Sequence, residues 1–303
     1  MGIKTGISWC DATWNPVVGC SHISPGCDNC YAEEIASRFS GCSSNGTVRL
    51  YHGVINDLKK WNGKTEWRNT SFHPTQTKSA KTIFVCSMGD LFHESVPFEW
   101  VDEILRVIYA TPHHRYMILT KRPQRMREYF DGISEPGTNS SGSVRMARNM
   151  TYNQCGLHGL HMRYLQGMPL DNLALGVTVE SQEYIKRVLT LVGIPAKKRF
   201  ISIEPMIAQV DLSVEYFAPL LKQYPLKLQK KHRTKIIDSL DLVICGGESG
   251  SKSRPISDER VRRLRDQCDS FDVPFHFKGF GKPKVRTIDG REFGGVIDWA
   301  IES

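Results

Sequence analysis

Residues 173–203 read LALGVTV-ES-QEYIKRVLTLV-GIPAKK-RFISI. The apolar run at 173–179 predicts a strand. Residues 182–192 predict an amphipathic helix, and 199–203 a second strand. A strand, a helix and a strand in this short compass make a βαβ unit, whose two strands lie parallel in one sheet.

The same alternation extends in both directions. Strands are predicted at 5–9, 82–87, 115–120, 240–245 and 274–278, and helices at 31–39, 97–110, 123–130 and 258–271. In the 97–110 helix Val101, Ile104, Leu105 and Ile108 share one face, Ser95 suits the cap and Pro97 the first turn. Six or seven parallel strands predict an α/β fold, a partial or complete (β/α) barrel, with a doubly wound sheet as the other arrangement. Either fold binds ligands beyond the carboxyl ends of its strands. Residues 41–79 read as irregular. Two stretches, about 134–168 and 211–238, lack any sustained period and are predicted to be insertions in a single domain spanning 1–303.

The chain has 303 residues, 40% hydrophobic and 24% charged, ordinary for a globular protein. No apolar run approaches the ~20 residues of a membrane helix. The amino terminus has no signal-peptide core, which predicts the cytoplasm. The formal net charge of +8 favours a polyanionic partner, nucleic acid above all. The stretch 222–235 carries Lys222, Lys227, Lys230, Lys231, Arg233 and Lys235 with no acid, a solvated face or a phosphate contact. Trp61, Trp67 and Phe72 suit base stacking or loop anchoring equally.

Of nine cysteines, Cys86 and Cys245 lie in apolar runs and read as small core residues. Cys20, Cys27 and Cys30 fall together as Cys-x6-Cys-x2-Cys, on a loop leading into the 31–39 helix. Three thiols at this spacing predict a metal or iron–sulfur site. Structural zinc asks for four ligands. His22 could supply the fourth, although a loop histidine is more often solvated. A [4Fe–4S] cluster on three cysteines leaves one iron open. His113-His114 reads as a surface turn. Cys155, His158 and His161 form a weak second metal set.

The strand ends supply the other candidates: Gly89 and Asp90, Thr120 with Lys121 and Arg122, Thr178 with Glu180, Glu204, Gly247 with Glu248, and Lys278. An isolated acid after a strand is commonly a helix cap. The convergence of four at one mouth is the signal, and glycines there let backbone approach a ligand.

Seven stretches together carry a resemblance: WNPVVGC at 14–20 with CYAE at 30–33, SMGD at 87–90, LTKRP at 119–123, GVTVES at 176–181, IEP at 203–205, GGESG at 246–250 and VPFHFK at 273–278. The chain resembles the phage-associated three-Cys-motif family, regarded as radical-SAM-like, over nearly its whole length. The first gap of six residues departs from the common Cys-x3-Cys-x2-Cys pattern, and Tyr31 follows the last cysteine instead of preceding it.

The resemblance implies that Cys20, Cys27 and Cys30 hold a [4Fe–4S] cluster and that S-adenosyl-L-methionine (SAM) is the cofactor. An external electron donor would reduce the cluster, and reductive cleavage of SAM would give methionine and a 5′-deoxyadenosyl radical that abstracts hydrogen from the substrate. It implies that Gly89 and Asp90 meet the methionyl amine of SAM, Thr178 and Glu180 the ribose, and Glu204 the substrate or SAM. Gly247 and Glu248 would meet adenosine or substrate, and Lys121, Arg122 or Lys278 an anionic part of the substrate. The substrate implied is nucleic acid, most specifically phage DNA in which N-linked glycyl-thymidine is isomerised to its C-linked form. Two other readings stand beside it: a nucleic-acid-binding protein with a structural metal, and a radical SAM enzyme acting on tRNA or protein.

Overall fold

The computed structural model describes residues 5–17, 19–40, 74, 79–134, 169–213, 235–249, 252–281 and 285–299. Most of the irregular stretch 41–79 and of both expected insertions lies outside these residues. So do Trp61, Trp67, Phe72, Cys155, His158, His161 and the basic residues from Lys222 to Arg233.

Seven strands form one sheet: β1 (Ala12–Trp14), β2 (Thr82–Val85), β3 (Arg115–Thr120), β4 (Leu173–Thr178), β5 (Lys198–Ile203), β6 (Leu242–Gly246) and β7 (Phe275–Gly279). They lie side by side in chain order, and every neighbouring pair is parallel. A doubly wound sheet reverses its strand order at a switch point, so this order excludes it. Among the described residues no ladder joins β1 to β7, and the sheet is a curled, partial (β/α) barrel.

Helices follow the strands: α1 (Tyr31–Ser40) after β1, α2 (Phe98–Ala110) after β2, α3 (Pro123–Ser134) after β3, α4 (Lys186–Val192) after β4 and α5 (Asp258–Ser270) after β6. No helix among them is long and apolar enough to cross a membrane.

The two faces of the sheet bury different sets of side chains, as period-two alternation requires. Ile83, Val85, Tyr116, Ile118, Leu175, Val177, Ile201, Ile203, Val243 and Cys245 face the helices, meeting Val101, Ile104, Leu105 and Ile108 of α2. On the other face Phe84, Met117, Ala174, Phe200, Leu242 and Ile244, from five different strands, gather round Trp9 and Ile297. Side chains from five strands meet this way because that face is concave. Trp9 lies 4.6 Å from the Phe84 ring and 6.3 Å from the Phe200 ring, plugging the barrel below its mouth.

That plug corrects the expected first strand at 5–9. Trp9 is buried inside the barrel, packed on Phe84 and Phe200. Ser8 beside it meets His276 Nε2 at 2.8 Å. The ladder starts two residues later, where the Asp11 N–H donates to Thr82 O and Asp11 Oδ2 accepts from the Thr82 N–H.

Three smaller expectations also change. The helix expected at 182–192 is a 3₁₀ turn, Gln182–Tyr184, followed by α4. Pro97, not Ser95, takes the cap position of α2, and the Ser95 N–H donates to His93 Nδ1 at 3.1 Å. His114 is wholly buried: Nδ1 accepts from the Lys81 N–H and Nε2 faces Pro74 O. A hairpin of β8 (Thr287–Ile288) and β9 (Arg291–Glu292) was not expected. It turns on Asp289-Gly290, both at positive φ, the Asp-Gly signature of a tight hairpin.

Candidate metal centre

The cysteine loop leaves β1 at Trp14 and lies over the carboxyl ends of the strands. Asn15 starts it, accepting from the Met88 N–H and Ser87 Oγ through Oδ1. Gly19, at φ 95, then donates its N–H to Met88 O and pairs with Gly89. Gly89 therefore meets backbone of the loop. The next residue is Cys20.

Cys20 is held from β3. Arg122 is buried, yet its guanidinium reaches Glu94, Asp90 Oδ2 at 3.1 Å, Cys20 Sγ at 3.4 Å and both oxygens of Ser21. Desolvation acts to lower the Arg122 pKa, but the charges of Asp90, Cys20 and Glu94 outweigh it and keep the guanidinium protonated. Asp90 also accepts from the Phe92 N–H, Thr120 Oγ1 and the Lys121 N–H, so both carboxylate oxygens are engaged by the protein. Solvent reaches Cys20, but protein crowds its sulfur. That desolvation, then the Asp90 charge, raises its pKa against the pull of Arg122.

Cys27 is held from β3 and β4. It ends the 3₁₀ turn Pro25–Cys27 and is buried. Lys121 Nζ lies 3.6 Å from its sulfur and 3.0 Å from Gly26 O. Desolvation pushes the Cys27 thiol up, but the Lys121 charge and hydrogen bonds at Ile23 and Ser24 bring it below its ordinary value. Beneath this turn sits Glu180, fully buried. One oxygen pairs with Arg187 Nη1 and the other accepts from Ser24 Oγ. The Arg187 Nη1 group also donates to Thr178 O, so Thr178 serves the clamp through its carbonyl.

Cys30 is held from β6. Its carbonyl accepts from the Glu34 N–H, which makes it the cap residue of α1, at the end of a helix that attracts negative charge. The preceding Asn29 donates to Glu248 Oε2 at 2.9 Å. Glu248 also accepts from the Arg254 N–H, Nε and Nη2. Desolvation acts to raise the Glu248 pKa, but Arg254 and Asn29 together hold it below the usual carboxylate range. Gly247 is a packing glycine, since a Cβ there would stand 2.4 Å from Phe280 O.

The remaining two candidates meet each other. Glu204 and Lys278 form an ion pair over Gly246, whose absent side chain leaves them room, and Lys278 Nζ lies 5.9 Å from the Tyr31 ring centroid. Tyr31 donates its hydroxyl to Ser87 O. Burial, then Glu204, Cys30 and Cys10, raise its pKa. Cys10, below, is raised to about 12 by burial.

Each cysteine thus has an acid–arginine pair standing behind it: Asp90–Arg122, Glu180–Arg187 and Glu248–Arg254. The strand-end acids were visible in the sequence. Arg187, Arg254, Ser24, Ser21 and His93 were not singled out. His93 is buried with Nδ1 accepting from Ser95, which leaves Nε2–H to donate to Ser21 Oγ at 2.9 Å. His22 is solvated, as expected, and pairs with Glu33.

Three unbridged thiols on one loop, two of them facing cations, are a soft donor set that fits a thiophilic metal or an iron–sulfur group. Among the described residues no three His, Cys, Asp or Glu side chains stand close enough to share a single ion. A cluster of four irons spreads its thiolates more widely than one ion does.

Residues 4–299 match a family described as a protein of unknown function (DUF5131). No curated protein matches the chain significantly, and no solved structure does.

Proposed function

The chain belongs to the DUF5131 family, whose description assigns no activity, and from the site itself we propose a radical-SAM-type enzyme that acts on nucleic acid. One observation carries the reading. Three thiols of a single loop stand over the carboxyl ends of a parallel, chain-ordered partial barrel, the place where such folds bind ligands.

On this reading Cys20, Cys27 and Cys30 hold a [4Fe–4S] cluster, which when bound supplies the electron that cleaves SAM. The chain's own residues do the rest. Arg122 and Lys121 offset the negative charge of the thiolates. Asp90, Glu180 and Glu248 hold the cations and amides that fix the loop. Glu204 and Lys278, which pair with each other and hold no residue of the cysteine loop by a hydrogen bond, are the groups this reading gives to cofactor or substrate. The Tyr31 ring lies beside that pair, and Trp9 packs inside the barrel.

The net charge of +8 supports a polyanionic substrate. The specific reaction proposed is isomerisation of N-linked to C-linked glycyl-thymidine in DNA.

The test is anaerobic reconstitution with iron and sulfide. Absorption near ~400 nm, close to four irons and four sulfides per chain, and release of methionine and 5′-deoxyadenosine from SAM are expected. Each should be lost in Cys20→Ser, Cys27→Ser and Cys30→Ser. A colourless protein that retains zinc and takes up no iron would overturn the reading. SAM cleavage with N-linked glycyl-thymidine DNA left unchanged would overturn the isomerase alone.

A further inference from the structure

Arg254 lies outside the motifs that bear on the cysteines, in the segment between β6 and α5. Its guanidinium nevertheless spans the gap from β6 to the cysteine loop. Nε and Nη2 hold Glu248 Oε1, Nη2 also donates to Pro25 O at 2.7 Å, and Nη1 donates to Asp28 Oδ2 at 3.3 Å. Pro25 and Asp28 bracket Cys27, and Asn29, bound to the same Glu248, precedes Cys30. One planar cation therefore fixes both flanks of the turn that carries two of the three thiols. A lysine could serve one of these acceptors at a time but not all three directions.

We infer that Arg254 is a positioning residue for this turn, setting how closed the loop is over Cys27 and Cys30 and so how readily those two thiols take a thiophilic metal. The inference rests on the proposed metal-binding role of the loop, but the clasp itself is made wholly from the chain's own side chains and backbone. Cys20 has a separate anchor in Arg122 and should not feel the loss.

The test separates these claims. In the metal-free full-length protein, the rate at which iodoacetamide labels each cysteine is read by mass spectrometry. A buried thiol reacts through local opening, so its rate reports the opening equilibrium. In Arg254→Ala, Cys27 should label about tenfold faster, the scale of one lost charge-assisted hydrogen bond, with Cys20 within about twofold of wild type. Arg254→Lys should not restore the wild-type rate. The double variant Glu248→Gln/Arg254→Ala, which leaves no stranded carboxylate, should label Cys27 as fast as Arg254→Ala. Anaerobic reconstitution with iron and sulfide should leave less iron per chain in all three variants than in the wild type.

An unchanged Cys27 rate in Arg254→Ala overturns the inference. So does acceleration of Cys20 and Cys27 alike, which would mean general loosening. Failure of the wild type to bind iron would sink the proposed function and leave the labelling result standing.

Discussion

At the scale of residues, the mouth of the barrel is governed by what happens to buried carboxylates. A buried charge is tolerated when paired and hydrogen-bonded, and removing a partner strands it. Glu180 is the most enclosed example, locked between Arg187 and Ser24 with Gly26 lying directly on it. A Cβ at Gly26 would stand 2.5 Å from Glu180 Cγ and 2.8 Å from Oε1. Glu180 is fully buried with both oxygens engaged, so moving it aside strains its ion pair with Arg187. Gly26→Ala should therefore cost about 1–3 kcal/mol, the usual range for overpacking, read as a lowered denaturant midpoint with an unchanged m-value. Gly26→Ala in a Glu180→Ala background should cost far less than in the wild type, because the colliding atoms are gone. Equal costs in the two backgrounds would refute the steric account. The same residues show what the sequence could and could not tell. An acid after an apolar strand is plain to read. Whether its oxygens face a ligand or an arginine six or seven positions onward is decided by where a helix or a segment returns, and Glu180–Arg187 and Glu248–Arg254 carry no local mark of it.

At the scale of elements, β4 and β5 are matched by shape. Gly176 pairs with Phe200 in the register, and the Phe200 ring fills the space a side chain at 176 would need, with its nearest atom 2.4 Å from a built Cβ. Phe200 is itself fully buried against Trp9, so the ring cannot swing away cheaply. Gly176→Ala should lower stability by about 1–3 kcal/mol despite the better strand propensity of alanine. Phe200→Leu, which shortens the colliding group, should recover part of that loss in the double variant. A melt showing Gly176→Ala as stable as wild type would overturn the argument. The central strands were legible because continuous apolar runs carry the burial signal themselves, and β3 begins and ends where the sequence places it. The 5–9 segment misled for the opposite reason. Ile7 and Trp9, two residues apart, suit a strand or a plug, and only the curvature of the sheet decides between them. Asp289-Gly290 was a readable hairpin signal, but strands of two residues leave no alternation to accompany it.

At the scale of the molecule, the fold and the cysteine loop draw on separate sources of stability. The principal core joins the outer faces of all seven strands to their helices, and the inner core plugs the barrel; of the three loop cysteines only Cys27 is buried. The loop is tied down by arginines, a lysine and backbone pairs, all contributed by the chain itself. Small zinc domains differ, because metal binding there supplies most of the folding free energy. A parallel sheet of this size buries enough apolar surface to fold on its own. The variant carrying Ser at 20, 27 and 30 should therefore unfold cooperatively in the absence of metal, with Tm within roughly 5 °C of the metal-free wild type, as expected for a change of a kcal/mol or two in a domain this large. Loading should then raise the wild-type Tm alone, in proportion to the logarithm of the free ligand over its dissociation constant, because the group binds only the native loop. Scanning calorimetry of both proteins, with and without anaerobic reconstitution, reads both quantities. A serine variant without a cooperative transition would mean that the thiols hold the fold itself, and the loop would have to be understood as a structural metal site instead of a reactive one.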